Sequence, residues 1–422
     1  MRVAVLLASS ALAMSCASPV PPADLVFVRG SIFGAEEAGA LAVDEGRIVS
    51  IGGEPAVRDY MGRGTAVIDL DGRMLVPSFA DAHVHLYAGS ESLDWPLVRE
   101  AASYDELLDI LRVHALSLPP GEWLQGVGWR HHIVDPVRRA GTIDLDSAFP
   151  DRPVRLISQE ARVWASSRAI DAGGPAERSH QEQLRILRRG IRYLHRFGIT
   201  AVETSGLLFP EPRNLYSELQ RQGELELHVH FSETSTHEAE VSSALNAAEK
   251  RGTHRIDGVV RLSPLDIERL RDRRLLVRVH PFKISPDWVP VRHRKGHEFP
   301  LRTLERAGVR LAFGSDWPLA SLDPLAGIAA AVTRQDFDGT PENGWLPEER
   351  ISVGEAVFAY TGRLPRVGEL ADLAVVSQDL LELPTELLAA AKVDMTVFSG
   401  KIVYVSESFL PELDSSVRMK LR

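Results

Sequence analysis

Two short segments of this chain hold the residue types that metal and proton chemistry require. In Asp81-Ala82-His83-Val84-His85 the imidazoles stand two positions apart, and in extended backbone such side chains point to the same side. His83 and His85 can therefore converge on one point, a beginning for a divalent-cation site. The competing reading is a pair of loop histidines satisfied by hydrogen bonds. In Phe313-Gly314-Ser315-Asp316-Trp317-Pro318 a carboxylate follows an apolar run. There Asp316 could ligate the same cation and take a proton from water that the cation activates. The alternative is a helix N-cap, with Ser315 and Asp316 ahead of Pro318 in a first turn.

Strands must hold these segments, and the sequence contains them. Through the middle of the chain, apolar runs at 154–157, 200–202, 227–230, 275–279 and 309–313 alternate with helical periods at 104–115, 181–197, 238–250 and 265–274. Strand then helix, repeated, predicts an α/β fold with parallel strands, and the length favours a TIM-like (β/α)8 barrel over an open sheet. On such a barrel His83, His85 and Asp316 would stand at strand ends, where active sites form. Shorter β-type runs lie at 25–28, 40–43 and 47–51, and matching ones return at 373–376, 395–398 and 401–404. They predict one small β-domain built by both chain ends. Neither a dinucleotide fingerprint nor a P-loop opens any helix. Arg185, Arg188, Arg189 and Arg192 flank Leu184, Leu187, Ile191 and Leu194 at helical spacing, so they read as a solvated helix face. The basic stretch Arg292-His293-Arg294-Lys295 reads as a loop, with an anionic-substrate site as the alternative.

Together the segments resemble the amidohydrolase superfamily, in its YtcJ-like branch. The matching parts are Val76 to Leu86, Gly314 to Arg334 with Ser315-Asp316-Trp317-Pro318-Leu319, and Gly368 to Val376. The resemblance implies a TIM-like barrel (76–363) with a small β-sandwich assembled from 24–75 and 364–410. It implies one or two divalent cations, usually zinc, and hydrolysis of a non-peptide amide-type carbon–nitrogen bond in a small molecule by activated water. His83 and His85 correspond to the first-strand ligands, and Asp316 to the last-strand ligand and proton shuttle. The expected fifth-strand histidine falls on Thr234, and the sixth-strand one on Gly258 of Ile256-Asp257-Gly258. Gln159-Glu160-Ala161 stands where an Asp-Gly-His motif precedes the family's Trp, here Trp164. The bridging lysine has no counterpart. His230, four residues before Thr234, could replace the fifth-strand ligand. The run His230-Phe231-Ser232-Glu233-Thr234 resembles a segment of the aminohydrolases in which the His binds metal and the Glu moves protons, so Glu233 joins Asp316 as a candidate catalytic residue. His228, His237, Glu203 and His280 read as structural or solvated. The ligand losses leave a second expectation: a catalytically inactive relative serving as a binding or structural protein.

Of 422 residues, 44% are hydrophobic and 25% charged, the composition of a globular chain. Acidic residues outnumber basic ones by 58 to 48, for a net charge of −10, so no global field attracts nucleic acid or an anionic membrane. A single cysteine, Cys16, excludes an intramolecular disulfide and any multi-thiolate metal site. It follows Met1-Arg2 and a mostly apolar run, an arrangement resembling a bacterial lipoprotein signal (1–16), although Ala13 stands where Leu is commoner. The alternative is an ordinary cleaved signal. Residues 17–23 would be a stiff tether, and the protein an exported one held by lipid on Cys16 at a membrane, facing the periplasm.

Overall fold

The computed structural model describes residues 21–130, 133–134, 141–206, 208–232, 255–256, 263–272, 275–284, 298–336, 339–414 and 417–418. Cys16, Glu233, Thr234, His237, Gly258, the helical period at 238–250 and the basic stretch 292–295 lie outside them.

The first half of the chain builds β1 (Leu25–Val28), β2 (Ser31–Ile32), β3 (Ala40–Asp44), β4 (Arg47–Gly52), β5 (Ala66–Asp69), β6 (Met74–Pro77), β7 (Phe79–Val84), β8 (Leu124–Trp129), β9 (Val154–Ser158), β10 (Val163–Ala165) and β11 (Ile199–Ser205). Then come β12 (His228–Ser232), β13 (Arg255–Ile256), β14 (Leu276–Val279), β15 (Arg310–Phe313), β16 (Leu373–Val376), β17 (Val393–Phe398) and β18 (Lys401–Val405).

Both chain ends enter one sheet, of order β18-β17-β16-β6-β2, and it faces a second sheet of order β4-β3-β1-β5. The period of two explains the pairing. Leu25, Phe27, Leu41 and Val43 turn to a cluster shared with Leu75, Leu373, Val375, Met395 and Val397. Val26, Val28, Ala40 and Ala42 turn to the opposite face, onto Val57. In β6 and β16 the alternate residues Met74, Val76, Ala374 and Val376 join the central core. Sheets covered on both faces require such unbroken apolar runs. Strand β6 extends to Pro77, just past the expected boundary at residue 75.

Two parallel triplets carry the site, β12-β11-β7 and β13-β14-β15. They meet where β15 approaches β7, with Asp316 N–H donating to the His83 carbonyl at 2.9 Å; within the second triplet, Gly314 N–H donates to the Val279 carbonyl at 3.0 Å. Their strand C-termini thus open on one side. The helix His180–His195 turns Leu184, Leu187, Ile191 and Leu194 onto this core; on its outer face Arg188 pairs with Glu224 and Arg189 with Asp94. The run at 154–157 keeps the strand–helix–strand alternation locally, running parallel to β8 with the helix Ile143–Ala148 between them. It forms β9 in a separate sheet with β8 and β10, which has its own core around Trp129 and Trp164. On its other side Val127 and Ile157 pack against Leu319, which follows β15. No helix among the described residues is long and apolar enough to cross a membrane.

Candidate functional site

His83 and His85 leave the end of β7, and Asp316 leaves the turn after β15. Asp81 fixes the seam between them, its Oδ1 accepting the N–H groups of His83 at 3.1 Å and Ser315 at 2.9 Å. Asp316 has φ +60°, a left-handed conformation that Asp tolerates better than most residues. Ser315 Oγ holds the turn by accepting Trp317 N–H at 3.0 Å. The N-cap alternative does not apply here, because the next helix starts at Pro324 and is capped by Asp323. Gly314 allows the close approach: a Cβ there would lie 2.6 Å from His83 N.

One ligand atom from each of His83, His85 and Asp316 falls in a group spanning no more than 4.8 Å. Their residues are only 7%, 3% and 6% exposed. Asp316 Oδ1 is 3.6 Å from His83 Nε2 and 3.4 Å from His85 Nε2. Two imidazole nitrogens and a carboxylate oxygen are a donor set suited to zinc or a similar divalent ion. His85 Nδ1 faces the Ser205 carbonyl at 2.9 Å. Since a carbonyl only accepts, Nδ1 bears the proton and Nε2 the lone pair that faces the group. His83 Nδ1 is buried with no hydrogen-bond partner among the described residues.

The electrostatics favour a ligand set ready for a cation. Burial drives the His83 pKa well below the usual histidine value, and His280, His85 and Arg278 push the same way, outweighing the Asp316 charge; the ring is neutral, as a ligand must be. Burial alone would raise the Asp316 pKa, but the adjacent Lys283 ammonium holds it well below the carboxylate range. Lys283 Nζ lies 2.9 Å from Asp316 Oδ2. Asp81 is different: desolvation pushes its pKa up to about 7 against the hydrogen bonds from Ser315 and His83.

The other sequence candidates separate. His230 is exposed on β12, in register with Glu203, and is not in the group. The space between β12 and β7 is spanned instead by buried Arg278, which pairs with Glu203 at 2.8 Å, donates to the Ala82 carbonyl at 2.9 Å and reaches Ser232 Oγ at 3.5 Å. His228 lies at the other end of the strand and bonds Asp372 at 2.9 Å. Two residues join the site that sequence reasoning set aside or missed. His280 is buried, with its ring 5.2 Å from that of His83. Lys283 follows in the short turn Pro281–Lys283. The position of His280 immediately after an apolar run was the available signal, and Lys283 had none. Beyond them, Glu211 accepts from Thr204 Oγ1 and bonds Tyr216, behind His85.

Paired imidazoles and a carboxylate, buried where parallel strands of an α/β fold end, define a candidate single-cation centre. Comparison with known proteins agrees with that class. The model of the amidohydrolase family matches residues 66–257 and 216–404, and the chain belongs to this family. An N-substituted formamide deformylase from Arthrobacter pascens is 32% identical over 141 residues, covering 32% of this chain and 26% of that protein. The putative amidohydrolase YtcJ of Bacillus subtilis (strain 168) is 31% identical over 138 residues, covering 32% and 26%. This chain thus spans about a quarter of the length of those two relatives. LONG AFTER FAR-RED 3 of Arabidopsis thaliana is 21% identical over 547 aligned positions, covering 92% and 93%. An uncharacterized metal-dependent hydrolase from Pyrococcus horikoshii OT3 has the same fold, with a TM-score of 0.64 at 16% identity over 86% of this chain and 99% of that one.

Proposed function

We propose that this protein is a metal-dependent hydrolase that cleaves a non-peptide amide-type carbon–nitrogen bond in a small molecule. The observation that carries the reading is the convergence of His83, His85 and Asp316 within 4.8 Å. On this reading the two parallel triplets are the surviving wall of a (β/α)8 barrel, and the paired end sheets are its β-sandwich. The deformylase relative makes N-substituted formamides the first substrates to try.

Zinc or a similar ion, held by His83, His85 and Asp316, would act as a Lewis acid that polarises the scissile carbonyl and acidifies a water. His85 keeps its Nε2 lone pair aimed at the group because Ser205 holds the opposite proton. Asp316 would accept the water's proton on a carboxylate oxygen and return it to the leaving nitrogen. Lys283 keeps that carboxylate ionised beforehand. Burial of all three ligands excludes bulk water and strengthens these interactions. Export and tethering through lipid on Cys16 belong to the same proposal.

A second reading is a family member without turnover that serves as a binding protein; the ammonium of Lys283 on Asp316 favours it, since it neutralises a ligand charge internally. Metal content by mass spectrometry, with hydrolysis assays on formamides and N-acyl amines, separates the two. The expected result is about one ion per chain, absent in a His83→Ala/His85→Ala double variant, with turnover in the wild type alone. A folded wild type that takes up no zinc refutes the hydrolase.

A further inference from the structure

We propose that His280 is a further ligand of this centre, so that the end of β14 replaces the histidines missing at Thr234 and Gly258. The proposal rests on the metal reading above and assigns a residue to it. Four observations converge. His280 directly follows β14, which pairs with β15 so that Val279 stands opposite Phe313, and it therefore emerges on the rim that carries Asp316. Its ring centroid is 5.2 Å from that of His83, the same separation as between His83 and His85. The residue is buried, at 6% exposure. Finally, its Nδ1 faces the Gly314 carbonyl at 3.2 Å. The carbonyl can only accept, so Nδ1 bears a proton and Nε2 is the ring nitrogen left to ligate.

His85 is set by the same device, Nδ1 on the Ser205 carbonyl. A backbone carbonyl fixing the tautomer and orientation of an imidazole is the usual support of a ligating histidine. Donor counting points the same way. Asp316 is shared with Lys283, so two imidazoles and a shared carboxylate make a poor cage, whereas three imidazoles and a carboxylate make an ordinary one. His280 stands outside the tight group of three, so the assignment requires its ring to shift toward the group when the ion binds while Nδ1 stays on the Gly314 carbonyl. Pro281 restricts the His280 backbone to extended geometry, observed at φ −103° and ψ 96°, so the backbone that carries the ring is already fixed.

The test is X-ray absorption on the full chain loaded with zinc, counting imidazole scatterers, together with cobalt titration of the wild type, His280→Ala and His280→Gln. Three imidazoles are expected in the wild type and two in each variant, with cobalt affinity falling by more than the roughly 10- to 100-fold typical of losing a supporting residue. Two imidazoles in the wild type, with affinity unchanged in the variants, overturn the assignment and leave the centre standing. A folded wild type that binds neither ion overturns both. If His280→Ala fails to fold, the wild-type count and His280→Gln still decide.

Discussion

Asp81 offers the sharpest test of how the site is assembled. Its Oδ1 collects the N–H groups of His83 and Ser315, while Oδ2 is buried with no partner among the described residues. An unfolded carboxyl ionises near 3.8, whereas burial carries the folded group to about 7. Between those values the native state holds a proton that the unfolded chain has released, so the Asp81 contribution to stability falls as pH rises from about 4 to about 7 and is then fully lost. At 1.36 kcal/mol per unit, the loss amounts to about 4 kcal/mol. Asp81→Asn keeps an acceptor for both N–H groups and does not ionise. Relative to the wild type, it should gain stability with rising pH across this window, by an amount approaching that figure, in urea titrations of chelator-treated protein. Asp81→Ala orphans both donors and should lose about 2–6 kcal/mol, at about 1–3 for each. Parallel stability–pH curves for Asp81→Asn and the wild type between pH 4 and 8 would refute the reasoning.

Two further perturbations probe the frame around the site. Gly314→Ala places a methyl 2.6 Å from His83 N; backbone has to move, so stability should drop by about 1–3 kcal/mol and zinc affinity with it, and an unchanged zinc isotherm would count against the seam described here. His195 donates through Nε2 to the Glu226 carbonyl at 2.8 Å, and burial lowers its pKa below 6.5. Below pH 6.5 the unfolded chain therefore binds a proton that the native state refuses, and stability is lost as pH falls. His195→Gln should flatten that acid limb by up to about 1.36 kcal/mol per pH unit, read from denaturant midpoints; identical slopes would show that His195 titrates normally.

Much of the molecule is written locally. Alternation with a period of two placed Leu25, Phe27, Leu373 and Val375 in strands, and the helical spacing of Leu184, Leu187, Ile191 and Leu194 fixed an inner face, because side-chain direction follows directly from backbone geometry. His83 and His85 were legible for the same reason, and Asp316 from its place after an apolar run. What decided the rest was which strands lie side by side. The sequence does not say that β8 and β9 would pair in a sheet apart from the two triplets, that Arg278 would cross from β14 to Glu203 and Ser232 while His230 stays exposed, or that Lys283 and His280 would arrive beside Asp316 and His83. Those neighbours are far apart in the chain. They meet only because burying the core selects one strand order and one register, and that choice depends on the whole set of faces packed together.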